Sequence, residues 1–249
     1  MNEVPVAILL AAGKSTRMKS PIPKVLQPIG DRRMIDFVLD AVRRAGVTRI
    51  IVVIGYKAGV VWKALRDQPD LQFVVQAEQK GTGHAVRVCR RHLEDFHGAA
   101  LVLAGDMPLI RPESLTELLN RRTRAGAACV IGAAITPANR GLGRIVRDDR
   151  GAFVRIVEEK DASPAERRIE EVNTGCYVFR CPDLFEALEH LRPDNRQAEY
   201  YLTDCPAILK AQGKAVLACP VFTIEEAMGV NTPEQLREVQ RRLEQRQLA

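Results

Sequence analysis

Along the first half of the chain, short β-branched runs alternate with apolar residues at helical spacing. Val4 to Leu10 is short and β-branched enough for a buried strand. Met34 to Ala45 carries apolar residues at 35, 38, 39 and 42, a helical set that stops at Gly46. Arg49 to Ile54 reads as a second strand broken by Gly55-Tyr56, a short helix runs through Val60 to Leu65, and Leu71 to Val75 is a third strand. Gly81 and Gly83 flank the entry to a helix through Val86 and Val88. Ala99 to Ala104 is a fourth strand, and Pro112 opens a helix through Leu115, Leu118 and Leu119. Strands and helices joined this tightly predict parallel pairing by right-handed crossovers. Such sheets bind ligands beyond the carboxyl ends of their strands.

The second half has a different texture. Ala127 to Ala134 is a strand of small residues. Arg144 to Val146 and Phe153 to Val157 then flank Arg147-Asp148-Asp149-Arg150-Gly151, which predicts a hairpin with Asp/Gly turn chemistry. A strand over Cys176 to Phe179, a helix over Pro206 to Gln212 and a strand over Ala215 to Ala218 follow. Thr232-Pro233-Glu234-Gln235 reads as a helix start, with Thr as N-cap, Pro at the first position and Gln at the third. Leu236, Val239 and Leu243 then face the body of the protein.

At 249 residues the chain suits one large α/β domain, or at most two small ones. No apolar run approaches the roughly 18–20 residues of a membrane span. The start, Met-Asn-Glu-Val-Pro, lacks the basic region and cleavage site of a signal peptide. Six dispersed cysteines without a Cys-x-x-Cys pair predict a reduced, cytoplasmic protein. The histidines at 84, 92, 97 and 190 show no zinc spacing. A net charge of +6 raises the question of nucleic acid. The arginines instead form short exposed pairs such as Arg43-Arg44 and Arg90-Arg91, aromatic content is 5%, and no nucleic-acid motif is present. A solvated basic surface that also draws in nucleotide phosphates is the better reading, with neither nucleic acid nor membrane as partner.

The candidate chemistry lies where strands end. After the first strand comes Leu10-Ala11-Ala12-Gly13-Lys14-Ser15-Thr16-Arg17-Met18, then Pro23-Lys24. Gly13 permits close approach of backbone to a ligand, and N–H groups of such a loop point at an anion. Arg17 can grip phosphate oxygens bidentately, and Lys24 is a mobile point charge. The glycine spacing is neither that of a P-loop nor of a dinucleotide fingerprint. Spacing alone leaves open a simple strand-to-helix turn with solvated cations. The third strand leads into Gln76, whose amide suits a base edge, and Gly81-Thr82-Gly83, small enough for a flat ring to lie against; a glycine-containing helix start is the plainer alternative. His84 belongs to the helix start. The fourth strand ends in Gly105-Asp106, a carboxylate at the same sheet edge as the loop and a hard oxygen ligand for Mg²⁺. Aspartate there is also a common turn former, but Pro112 starts the next helix separately. Considered singly, Glu159 and Asp161 read as solvated loop residues.

Leu-x-x-Gly-x-x-x-Arg-Met followed by Pro-Lys resembles the signature of the sugar-phosphate nucleotidyltransferases. In particular it is similar to the N-acetylglucosamine-1-phosphate uridylyltransferase half of the bacterial bifunctional enzymes that make UDP-N-acetylglucosamine. Further marks are Gln76 with Gly81-Thr82-Gly83, Gly105-Asp106-Met107-Pro108-Leu109, Gly143-Arg144-Ile145, Glu158 in Glu-x-Lys-Asp-Ala, Asn173-Thr174-Gly175, and Asn195 to Asp204, which resembles a segment closing the sugar pocket. Ser15 and Ala198 stand where that family usually has glycine.

With the strand pattern, the resemblance implies an α/β fold: a doubly wound, mostly parallel, Rossmann-like sheet with helices on both faces and a smaller β-rich sugar lobe. It divides the chain into a nucleotide half (about 1–135), a sugar half (about 136–232) and a C-terminal helix (233–249). It implies that Leu10, Ala11, Ala12, Gly13, Gln76, Gly81 and Thr82 bind nucleotide, and that Gly143, Glu158 and Asn173 bind the sugar and its acyl amide. It also implies that Asp106 and Asn231 hold Mg²⁺ and that Arg17 and Lys24 hold the triphosphate of UTP. The implied reaction is uridylyl transfer to N-acetylglucosamine 1-phosphate. Another sugar phosphate or nucleotide, or a non-catalytic nucleotide-sugar sensor, are the alternatives. The hexapeptide repeats of the bifunctional enzymes are not found in these 249 residues, so acetyl transfer is not expected of them.

Overall fold

The structure, a computed structural model, describes residues 4–14 and 16–248. In chain order the elements are β1 (Val6–Ala11), β2 (Pro28–Ile29), β3 (Arg32–Arg33), α1 (Met34–Arg44), β4 (Arg49–Ile54), α2 (Ala58–Leu65), β5 (Leu71–Val75), α3 (Thr82–Arg87), β6 (Ala99–Ala104) and α4 (Pro112–Ala125). They continue with β7 (Cys129–Ile135), β8 (Arg144–Arg147), β9 (Phe153–Val157), β10 (Glu171–Arg180), α5 (Cys181–Glu189), α6 (Cys205–Ala211), β11 (Val216–Cys219) and α7 (Pro233–Leu248).

Seven strands form the body of the sheet in the order β11-β7-β10-β6-β1-β4-β5, and β8 and β9 extend it from β10. The pairs β5–β4, β4–β1, β1–β6 and β7–β11 are parallel, whereas β10 is antiparallel to both β6 and β7. The predicted doubly wound, mostly parallel sheet is therefore present. β1 is the central strand, with Val6, Ala7, Ile8 and Leu9 fully buried. Its alternate residues feed two cores, as strict two-residue periodicity requires. Val6 and Ile8 pack with Val86 of α3, Leu184 and Leu188 of α5 and Leu209 of α6. Ala7 and Leu9 pack with Val38 and Leu39 of α1, Val61 of α2 and Leu115 of α4. Each fully buried Leu or Ile stabilises by about 1.5–3 kcal/mol relative to exposure.

Two departures from the pattern reading have physical causes. The strand expected at Cys176 begins instead at Glu171, and Asn173-Thr174-Gly175 lies inside it. The register with β7 shifts between Asn173 and Tyr177, and Gly175 takes φ +79°, so these polar residues form a bulge within the strand. Helix α5 was not expected at all. It starts at Cys181 directly after β10 ends at Arg180, with no turn residues between to announce it.

Helix α7 begins as predicted: Gln235 N–H donates to Thr232 Oγ1 (3.3 Å), and the Gln235 side chain accepts from Thr232 N–H (3.2 Å). Val239 is fully buried with Met18, Met34, Leu109 and Val230, and Leu236 and Leu243 pack against them. That small core docks the segment before α7 against the loop after β6. No helix among the described residues is long and apolar enough to cross a membrane.

Candidate active site

A cavity of about 750 Å³ opens at the carboxyl ends of β1, β4, β5 and β6. Leu10, Ala11, Ala12 and Gly13 form one wall, and Gln76, Gly81 and Thr82 another; Lys24 and Asp106 also line it. The loop after β1 is held by Tyr56 N–H, which donates to Ala12 C=O at 3.0 Å. A Cβ at Gly55 would come within 2.8 Å of Ala12 Cβ, so only glycine lets the β4 turn approach this closely. Among the described residues, an added Cβ at Gly13 would meet no atom within 4 Å, which leaves room for a ligand against that backbone.

Asp106 is 9% exposed at the end of β6. Its backbone carbonyl accepts from Val230 N–H (3.0 Å), which brings Asn231 in from a segment more than a hundred residues away. Lys24 Nζ forms an ion pair with Asp106 Oδ2 and donates to Asn231 Oδ1 at 2.9 Å. The Asn231 amide nitrogen donates to Gly229 C=O (3.4 Å), so its oxygen is the atom presented to the cation. Two oxygens, one ionised and one neutral, thus converge on one positive group. The donor set fits Mg²⁺, which takes one or two protein oxygens and completes its shell with phosphate and water. Among the described residues no cluster of three or more His, Cys, Asp or Glu could hold a metal by itself.

Arg17 lies elsewhere. It stands exposed on the short 3₁₀ turn Thr16–Met18, anchored by buried Met18, and is not among the residues of the cavity wall. Lys14 does line the cavity, a cation the motif reading quoted without a role. Ser15 falls outside the described residues.

The end of the cavity lined by Gln76, Gly81 and Thr82 is fixed by backbone. Gly81 has φ +101°, and a Cβ there would sit 2.6 Å from Tyr200 C=O. Gly83 N–H donates to that carbonyl (2.8 Å), Tyr200 N–H donates to Lys80 C=O (2.9 Å), and Leu202 N–H donates to Thr82 Oγ1 (3.1 Å). Residues 199–204 therefore run from the Gly81 turn to a second cluster, where Thr203 bonds the Glu158 carboxylate.

That cluster brings Gly143, Glu158 and Asn173 together, outside the wall of the larger cavity. Asn173 N–H donates to Gly143 C=O (2.8 Å), and an added Cβ at Gly143 would lie 3.5 Å from Asn173 Cβ and 3.6 Å from Glu158 Oε1. Asn173 Nδ2 donates to the Tyr177 hydroxyl (2.7 Å). Burial pushes the Glu158 carboxyl above its ordinary pKa, with Asp204 and Asp161 adding to the rise against the Thr203 bond. Asp204 is raised as well, by burial and then by Asp161.

A model of the MobA-like NTP transferase domain matches residues 7–205. The chain belongs to that family. The bifunctional protein GlmU of Pelotomaculum thermopropionicum is 45% identical over 97% of this chain and 52% of its own length. GlmU of Geobacter metallireducens is 42% identical over 96% of the chain and 50% of its own, and that of Lactococcus lactis 44% over 90% and 49%. The chain spans about half the length of these relatives. The solved structure of a UDP-glucose pyrophosphorylase complexed with UDP-glucose shares the fold, with a TM-score of 0.73 over 96% of this chain and all of the other at 17% identity. The protein is thus a nucleotidyltransferase.

Two residues of this nucleotidyltransferase make contacts that the sequence reading did not contain. Glu159, expected to be solvated, accepts from Arg144 Nη2 at 2.6 Å, and the Arg144 side chain is 1% exposed. Glu159 is the counter-charge of a buried arginine. His84, assigned to a helix start, is also in contact with Gln76, Nδ1 lying 3.0 Å from the amide nitrogen. The only sequence signal for either was proximity to a motif.

Proposed function

We propose that the chain transfers a uridylyl group from UTP to N-acetylglucosamine 1-phosphate in the cytoplasm, with Mg²⁺, giving UDP-N-acetylglucosamine and pyrophosphate. The observation that carries this reading is the convergence of Asp106 and Asn231 on one cation at the wall of a cavity whose other end presents the Gln76 amide. Relatives named as bifunctional GlmU at 42–45% identity support it, as do six free, buried cysteines, the state of a reduced compartment.

In this mechanism an anionic oxygen of the sugar phosphate attacks the α-phosphorus of UTP. The bond from that phosphorus to the bridging oxygen breaks, and its electron pair leaves with pyrophosphate. The nucleophile is already charged, so the protein supplies position and charge neutralisation. The loop from Leu10 to Gly13 receives the triphosphate. Lys24, on a flexible stem, is assigned to the α-phosphate, and Arg17 to the triphosphate from the exposed turn. Asp106 and Asn231 would hold the metal, which when bound would supply positive charge against the phosphates. Gly143, Glu158 and Asn173 position the sugar and its acetamido group.

Pyrophosphate release across a panel of nucleoside triphosphates and sugar 1-phosphates tests the reading. UTP with N-acetylglucosamine 1-phosphate should give the highest rate, abolished by EDTA and restored by Mg²⁺. Release with another nucleotide but none with UTP would replace it.

A further inference from the structure

Gln76 is 3% exposed and makes two contacts through the same atom. Nε2 lies 3.1 Å from Gly81 C=O and 3.0 Å from His84 Nδ1. A backbone carbonyl can only accept, so the Gln76 group facing Gly81 is the NH₂. One amide hydrogen goes to Gly81. The other meets His84 Nδ1, which must therefore be the unprotonated nitrogen of a neutral ring. Both donors of Gln76 are consumed inside the protein, and its oxygen alone remains for a ligand in the cavity.

We propose that His84 is a positioning residue: with Gly81 C=O it locks the Gln76 amide so that only Oε1 faces the base, and it thereby selects uracil over cytosine. The inference rests on the uridylyl reading. Uracil offers one donor on its pairing edge, N3–H, between two carbonyls, whereas cytosine N3 is an acceptor and would face Oε1 unpaired. Rotating the amide to suit cytosine would set Oε1 against Gly81 C=O and strand a buried group, the kind of loss by which polar sites discriminate. The charged groups facing the ring are Arg87, one turn on in the same helix, and Lys80 and Glu78 from the preceding loop; the Arg87 guanidinium also lies over the Tyr200 ring at 4.8 Å. Burial, then Arg87 and Lys80, hold His84 below its ordinary pKa against bonding to the Glu78 backbone and the Glu78 charge, which favours the neutral ring the geometry needs.

Three measurements test this on the full chain. In ¹⁵N NMR of the nucleotide-free protein at neutral pH, His84 should show an unprotonated Nδ1 and a protonated Nε2; the opposite tautomer overturns the inference whatever the substrate. In kinetics, His84→Leu should lower the UTP-to-CTP ratio of kcat/KM about tenfold, mainly through KM for UTP. His84→Asn can place Oδ1 where Nδ1 stood and should restore that ratio to within about threefold. An unchanged ratio in His84→Leu, or equal damage in His84→Asn, would refute the positioning role. Failure of the wild type to prefer UTP would count instead against the uridylyl reading, and the tautomer would still decide the His84–Gln76 contact.

Discussion

The two ends of the site are built by different means. The end proposed for the nucleotide is made of small residues and backbone at the tips of parallel strands, where Gly55 and Gly81 are required by contacts of 2.8 and 2.6 Å that a side chain would create. The end proposed for the sugar hangs from the antiparallel strands β8 to β10 and is held by side chains: buried Arg144 on Glu159, Asn173 on Tyr177, Thr203 on Glu158, Gln197 on Tyr201 (2.8 Å). Parallel strand ends deliver main-chain groups to one rim by topology alone. A hairpin extension has no such rim and must fix its ligand-facing groups by pairing them. One end should therefore be sensitive in turnover, the other in stability and affinity.

The largest expected effect is at the nucleotide end. Asp106→Ala and Arg17→Ala should each lower kcat by about 10²–10³ with an unchanged circular dichroism spectrum, the usual cost of one lost charge-stabilising group. For Arg17 this also tests whether the exposed turn serves the triphosphate; wild-type turnover would remove it from the site. Next comes the sugar end. Glu159→Ala leaves Arg144 buried without its counter-charge and should cost about 2–3 kcal/mol in urea unfolding, with kcat affected less than tenfold. A larger loss in kcat than in stability would blur the contrast.

Glu158→Gln should raise KM for the sugar phosphate about tenfold, as loss of a hydrogen bond to a charged group does. Its pH signature follows from the raised carboxyl. A folded pKa above the unfolded one means that the native state holds the proton more tightly, so ionising Glu158 weakens the fold as pH rises through the folded value. Glu158→Gln should remove that contribution and raise the neutral-pH Tm towards its value at lower pH. A lower Tm at pH 7 would show that the Thr203 bond outweighs burial.

The smallest effect is expected at Ala198, in the segment from Asn195 to Asp204. Ala198 sits at φ +51°, a left-handed conformation costly for any side chain. Ala198→Gly should relieve that strain against a gain in unfolded-chain entropy, for a net about 0.5–1 kcal/mol and a Tm rise of about 1–3 °C.

The same contrast explains what could be read from the sequence. β4 and β6 lie at the residues that their apolar runs mark out, because a buried parallel strand must be apolar on both faces. Asp106 and the loop after β1 could be placed at one rim because topology requires it. The bulge over Asn173–Gly175 and the partner of Glu159 could not, since both depend on which residue lies across the hairpin. His84 was hidden for a related reason: its contact with Gln76 is made across the Gly81 turn, and its meaning lies in which nitrogen carries the proton.

The measurement that bears most directly on the account is Mn²⁺ binding, followed by electron paramagnetic resonance in the presence of a non-hydrolysable UTP analogue. Asp106→Asn and Asn231→Ala should each weaken the bound ion at least tenfold relative to wild type. Wild-type Mn²⁺ affinity in Asn231→Ala would show that the two oxygens gathered around Lys24 do not share a metal.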